Sequence, residues 1–221
     1  MSGGTIARPT TATPEDQVVR YTFKERAYHW INAFAYTYLL LTGLALFTPF
    51  LYWLSYVFGG GGTIRFWHPW VGLVYFVTIF WMHSKWKSDM RKIPADEQWT
   101  KNIKAYTENR DEVMPPQGRF NAGQKQFWWG MFYCTFILLI TGIIMWIPER
   151  IPREAHWILP ITVFIHSATA LITIALFILH VYMSVWVTPG SMKAMTDGHV
   201  STDWARTHHR LWYEKITGRR N

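Results

Sequence analysis

Residues 157–187 form a run of 31 with no Lys, Arg, Asp or Glu. A run this long and uncharged reads as a helix crossing a bilayer, which restricts the rest of the chain to folds compatible with lipid. It exceeds the ~20 residues that a ~30 Å hydrocarbon core requires, so the helix is expected to tilt or to project beyond the lipid. His166 and His180 lie inside it, fourteen residues apart. That spacing is about 3.9 helical turns and, at ~1.5 Å per residue, roughly 21 Å along the axis. Both imidazoles therefore leave one face of the helix, one toward each side of the membrane. Ionisable side chains at such depth are costly and mark functional sites. The pair points to two metal centres stacked across the bilayer.

Three further blocks lack formal charge, at residues 28–47, 67–84 and 127–147. With 157–187 they predict an all-α integral membrane protein, a four-helix bundle occupying residues 21–190. Residues 1–20 form a Thr- and Pro-rich arm, expected to be flexible or ordered only against a partner. Residues 191–221 form a polar tail. The short apolar run 50–58 follows Pro49, stops at four glycines and reads as an aromatic interfacial segment. The loop 85–126 is polar, with a surface helix expected around residues 96–106. Neither loop nor tail has the apolar content for a core of its own. Pro69 is expected at the start of the second membrane helix and Pro160 in the first turn of the fourth.

The net charge is +8. Its distribution, not its size, carries the meaning. Lys and Arg number four before the first block, one in the first loop, nine in the second, two in the third and six in the tail. The positive-inside rule then places both termini and the second loop in the cytoplasm, and the basic excess is a topology signal rather than a nucleic-acid footprint. The single cysteine, Cys134, supports neither a disulfide framework nor an iron–sulfur or zinc site.

This topology sorts the histidines by depth. His29 lies near the cytoplasmic side with His180. His68 lies near the outer side with His166. Each pair supplies two axial imidazoles to one haem iron. Such ligation leaves no open position for oxygen and suits electron transfer. Sites of this kind lie between facing helices of a bundle. Thr173, seven residues from each histidine of the fourth helix, shares their stripe. Gly43 and Gly72 offer room for a flat macrocycle. His83 faces about 60° away from His68 on a helix and is expected at the interface. His156, His199, His208 and His209 are expected to face solvent or a partner. A weak echo, Leu39-Leu40-Leu41-Thr42-Gly43 against Leu138-Leu139-Ile140-Thr141-Gly142, recurs in the first and third helices.

The chain resembles the cytochrome b (gamma) subunits of membrane-bound respiratory formate dehydrogenases from about Tyr21 onward. Arg26-Ala27-Tyr28-His29-Trp30, His68-Pro69-Trp70-Val71-Gly72, Phe164-Ile165-His166, His180-Val181-Tyr182-Met183 and Trp204-Ala205-Arg206-Thr207-His208-His209 carry the likeness. Phe120-Asn121-Ala122-Gly123-Gln124-Lys125 is the most discriminating segment. The arm of residues 1–20 is the main departure.

The resemblance implies two haems b, on His29 with His180 and on His68 with His166. It implies a quinone, menaquinone or ubiquinone, at Asn121, Gly123, Gln124 and His180. It also implies an iron–sulfur (beta) subunit and a molybdenum or tungsten catalytic (alpha) subunit as partners, in the bacterial inner membrane, with higher oligomers of that heterotrimer open. Electrons from formate would enter on the outer side and reduce quinone near the cytoplasmic face. Read as residues alone, Asn121 to Lys125 are a helix N-cap and first turn. Three other readings remain at this point: a cytochrome b serving a hydrogenase or another molybdenum oxidoreductase, a haem-free anchor, and a proton or ion carrier. The last lacks any Asp or Glu in the four blocks.

Overall fold

The computed structural model describes residues 16–218. Four long helices dominate it: α1 (Phe23–Phe47), α3 (Gly61–Trp86), α6 (Ala122–Trp146) and α7 (Ile158–Tyr182), the last running on through a π-helical turn, Met183–Val187. Helix α1 packs along α3, α6 along α7, and α3 against α6, so the bundle is two antiparallel helix hairpins side by side. Helices α1, α6 and α7 with its extension are long and apolar enough to cross a membrane. Helix α3 matches them in length at 26 residues, but it is rich in Trp and His and carries Arg65 and Lys85.

Helix α7 is packed the opposite way to a helix of a water-soluble bundle. The buried residues of α7 are Thr162, Thr169 and Thr173. Its Phe164, Ile172, Ile178 and Leu179 are exposed. Thr42 of α1 and Thr135 and Thr141 of α6 are likewise buried. Apolar side chains outside and hydroxyls inside is the arrangement lipid favours, because lipid tails reward no burial of Leu while polar groups must find partners within the bundle.

Each helix has a local reason to start where it does. Thr22 and Glu25 form a reciprocal capping box on α1. Asn121 and Gln124 form another on α6. Helix α3 begins at Gly61, six residues before the expected 67. Gly59 and Gly60, both at positive φ, turn the chain sharply out of the interfacial segment. Pro69 therefore sits inside α3 rather than at its start. The segment after α1 holds a 3₁₀ turn, Pro49–Leu51, and the short α2 (Leu54–Val57), leaving Phe50, Trp53 and Tyr56 exposed.

The loop and tail cap one end of the bundle. The loop supplies α4 (Pro94–Lys101) and α5 (Ile103–Thr107); the tail supplies α8 (Ser191–Asp197), α9 (Thr202–His208) and α10 (Arg210–Thr217). Strand β1 (Gln17–Val19) pairs antiparallel with β2 (His199–Ser201), Val18 opposite Val200. The last residues of the expected arm are thus ordered against the tail; residues 1–15 lie outside the described part. Tyr21, Phe120, Ala205, Trp212 and Tyr213 join one buried cluster with Trp86 and Trp128 of the bundle. Arm, loop and tail together build the cap that none of them could build alone.

Candidate functional site

Four histidines of the long helices stand in two pairs. Near the capped end, the rings of His29 on α1 and His180 on α7 have centroids 6.3 Å apart. Near the other end, His68 on α3 and His166 on α7 stand within electrostatic reach of each other. Tyr36 of α1 lies between the two levels, donating a hydrogen bond of 3.1 Å to Thr173 of α7. His83 joins neither pair. Its ring stacks on Phe132 at 4.1 Å and meets Trp129 edge-on.

The echo in α1 and α6 has a structural meaning. Thr42 Oγ1 donates to the Tyr38 carbonyl at 2.7 Å and lies 2.7 Å from His68 Nδ1. Thr141 Oγ1 donates to the Ile137 carbonyl at 2.6 Å and lies 2.8 Å from His166 Nδ1. With its proton committed to the helix, each hydroxyl can only accept from the imidazole. Nδ1 of both histidines must then carry the hydrogen, and Nε2 keeps its lone pair. The following glycine lies under the same ring. A Cβ on Gly43 would stand 3.5 Å from His68 Cε1, and one on Gly142 3.5 Å from His166 Cε1. Gly43 thus lies at the His68 level of the bundle. Gly72 faces Leu39 of α1 and serves helix packing.

This donor set fits haem b better than a metal held by protein alone. Among the described residues no three or more His, Cys, Asp or Glu converge as a metal site. Each level offers two imidazoles, the number that fills the axial positions of a porphyrin iron. At the His68–His166 level the tautomer is already the one that binds iron through Nε2. At the His29–His180 level, His29 Nδ1 is buried without a protein partner, and the His180 ring stacks flat on Phe127 at 4.5 Å.

The segment expected to meet quinone begins α6, at the level of His180. Asn121 Oδ1 accepts from the Gln124 backbone at 2.9 Å, and Gln124 Oε1 accepts from the Asn121 backbone at 3.0 Å. Asn121 Nδ2 donates to Tyr106 Oη at 3.3 Å, and Tyr106 Oη pairs with Thr188 Oγ1 at 2.8 Å. Burial raises the Tyr106 phenol above its ordinary pKa. Gly123 lies against Trp99 of α4, where a Cβ would come within 2.7 Å of the indole. The amide of Asn121 and the bare backbone of Gly123 are thus engaged by the protein itself. Gln124 Nε2 is the amide donor of the segment left without a protein partner among the described residues.

Sequence reasoning missed two ionic features beside this segment. Lys125 Nζ meets both oxygens of Asp96 at 3.0 and 2.9 Å, with both side chains 7 % exposed. Only the apolar neighbours Trp99 and Ala122 identify this as a buried pair, and they come together only in the fold. His209, expected to face solvent or a partner, is 1 % exposed. Its Nδ1 donates to the Gly118 carbonyl at 2.8 Å and its Nε2 accepts from Arg20 at 3.3 Å. Arg20, also bonded to the Arg119 carbonyl, sits over Trp212 at 4.6 Å.

Comparison with known proteins shows the family of the chain. The family described as prokaryotic cytochrome b561 matches residues 20–198. The cytochrome b556 subunit of the nitrate-inducible formate dehydrogenase of Escherichia coli strain K12 is 33 % identical over 199 residues, covering 90 % of this chain and 91 % of that protein. A second formate dehydrogenase cytochrome b556 subunit of the same strain is 33 % identical over 207 residues, 91 % of this chain and 94 % of the relative. A formate dehydrogenase cytochrome b556 subunit of Haemophilus influenzae is 28 % identical over 208 residues, 91 % and 84 %. With these matches, the chain belongs to the prokaryotic cytochrome b561 family.

Proposed function

We propose that this chain is the diheme cytochrome b subunit of a formate dehydrogenase complex, carrying electrons across the bacterial inner membrane to a quinone. The observation that supports it most is the meeting of His29 with His180 and of His68 with His166, in a chain similar over nine-tenths of its length to formate dehydrogenase cytochrome subunits. In this reading α3 is the fourth membrane span, and both termini and the cap face the cytoplasm. His68 and His166 hold the outer-side haem b, and His29 and His180 the cytoplasmic-side one.

When bound, haem b supplies one-electron exchange between ferric and ferrous iron. The chain's own residues do the rest. His29 with His180 and His68 with His166 would hold one haem each through two imidazoles, which would leave no iron position for oxygen. The apolar outer faces of the helices hold both levels in lipid. Asn121, Gly123, Gln124 and His180 surround the quinone. Asn121 and Gly123 shape the segment through the cap on α6 and the contact with Trp99, while Gln124 Nε2 remains to donate to a quinone oxygen. Partners of this reading are an iron–sulfur subunit on the outer side and a molybdenum or tungsten subunit that oxidises formate. Electrons moving inward and protons drawn from the cytoplasm at the quinone generate a membrane potential without a pump.

The test is haem content in the co-purified complex. Pyridine haemochrome analysis of the parent chain should give two haems b. Each of His29→Ala, His68→Ala, His166→Ala and His180→Ala should leave one. A colourless parent, or a haem lost with His83→Ala and retained in those four, overturns the reading. Co-purification with a hydrogenase large subunit would overturn formate while leaving the haems.

A further inference from the structure

Thr42 and Thr141 do the same thing at the same level from opposite hairpins. Each donates its proton to its own helix and accepts from the Nδ1–H of a histidine on the neighbouring helix. Each is buried, Thr42 completely and Thr141 to within 7 %. Each is followed by a glycine under that ring. The duplication matters because either threonine alone could be explained as helix-to-helix glue. Two copies aimed at the two histidines of one pair are better explained by what that pair must hold. The other pair has no such support. Among the described residues no hydrogen bond reaches either the His29 or the His180 ring, and His29 Nδ1 is buried with no protein acceptor.

We propose that Thr42 and Thr141 are a matched pair of positioning residues for the outer-side haem. They hold His68 and His166 in the Nδ1-protonated tautomer, fix the rotation of both rings, and make both imidazoles stronger donors than those of the inner pair. The inference rests on the haem-ligand assignment proposed above. A hydrogen bond from Nδ1–H raises the basicity of a metal-bound imidazole. A more basic ligand favours ferric over ferrous iron, so hydrogen bonding beyond the ligands is one lever on haem potential. Both axial ligands of the outer haem carry the bond and neither ligand of the inner haem does. The two bonds would therefore lower the potential of the outer haem, the direction that favours inward electron flow.

The experiment uses the complete complex with Thr42→Val, Thr141→Val, the double variant, and the serine variants Thr42→Ser and Thr141→Ser. Valine keeps the shape of threonine and loses the hydroxyl; serine keeps the hydroxyl. Haem content, α-band redox titration and the ferric low-spin EPR signals are read. The titration components are assigned beforehand by which one disappears in His68→Ala and which in His29→Ala. If neither substitution removes a component, the haem assignment itself fails and the threonines are not implicated.

Each valine should keep two haems and raise the midpoint of the outer component only. The double variant should raise it further, and serine should restore it. Should valine discharge the outer haem, serine with parental content and midpoint supports the proposal, and serine as deficient as valine overturns it. Unchanged midpoints and EPR signals in a double-valine complex with two haems overturn it as well. So does a shift confined to the inner component.

Discussion

His209 is neutral because of its two neighbours. A ring that donates from Nδ1 to a carbonyl and accepts at Nε2 from a guanidinium has no place for a second proton. Burial first, and then the charge of Arg20, push its pKa well below the ordinary 6.5. The sign of the pH effect follows. Above 6.5 the ring is neutral in both the folded and the opened cap, and the full stability is present. As pH falls below 6.5 the opened form takes up a proton that the folded form refuses, so the cap weakens progressively. Protection of the Gln17–Val19 amides, taken relative to the intrinsic exchange rate at each pH, should therefore fall as pH drops from 7 toward 5. His209→Gln, which can still donate to Gly118, should flatten that dependence. Equal dependence in both proteins would show that some other group governs the cap.

At this scale the sequence was legible where function demands an unusual residue type. A histidine in an apolar helix stands out against its neighbours, and fourteen-residue spacing speaks for itself. Thr42 and Thr141 were visible only as an echo, because a hydrogen bond between helices leaves no mark on one strand of sequence. His209 misled because the apolar groups that bury it, among them Trp204 and Trp212, stand in a stretch whose average is polar.

Between elements, the Asp96–Lys125 pair fastens α4 to the first turn of α6, beside the segment proposed to meet quinone. A buried pair is worth little over an apolar substitute of the same volume, whereas removing one member strands a charge at a cost of ~3–5 kcal/mol. Asp96→Asn or Lys125→Met alone should loosen α4, seen as faster proteolysis between residues 90 and 107. Asp96→Leu with Lys125→Met should come closer to the parent than either single change. If the double variant were the weakest of the three, the pair would be contributing attraction beyond compensation of its own burial.

The element boundaries show the limits of hydropathy. Uncharged runs located all four long helices. They missed the first turns of α3, because Arg65 interrupts the apolar pattern without interrupting the backbone. The true start signal was the glycine run, and Pro69 was misassigned by being measured from the wrong end. Capping boxes would have been the better guide: Thr22 with Glu25 and Asn121 with Gln124 mark α1 and α6 where their hydrogen bonds begin.

Across the whole molecule, one end of the bundle carries only α2 and short turns and the other is sealed by three separated segments. Arg119 ties the loop to the bundle electrostatically, reaching Glu25 of α1 at 2.7 Å and Asp89 after α3 at 3.4 Å. Trp86 Nε1 donates to the same Glu25 at 2.6 Å. Ending the chain after residue 198 removes β2, α9 and α10 and uncovers Arg20 and Tyr21. The truncated protein should lose protection at β1 and around Glu25 while the Thr42–His68 and Thr141–His166 contacts persist. In the proposed assignment, that is inner haem lost and outer haem kept, measurable as a halved haemochrome with the outer component's midpoint unchanged.

The same clasp dictates an order of events at the ribosome. Arg20 is synthesised 189 residues ahead of His209, the ring that completes its enclosure. Until the tail emerges, the first helix can insert but its threshold stays wet and open. A stretch translated after all four long helices is the latch, and the histidine just inside that doorway waits for it.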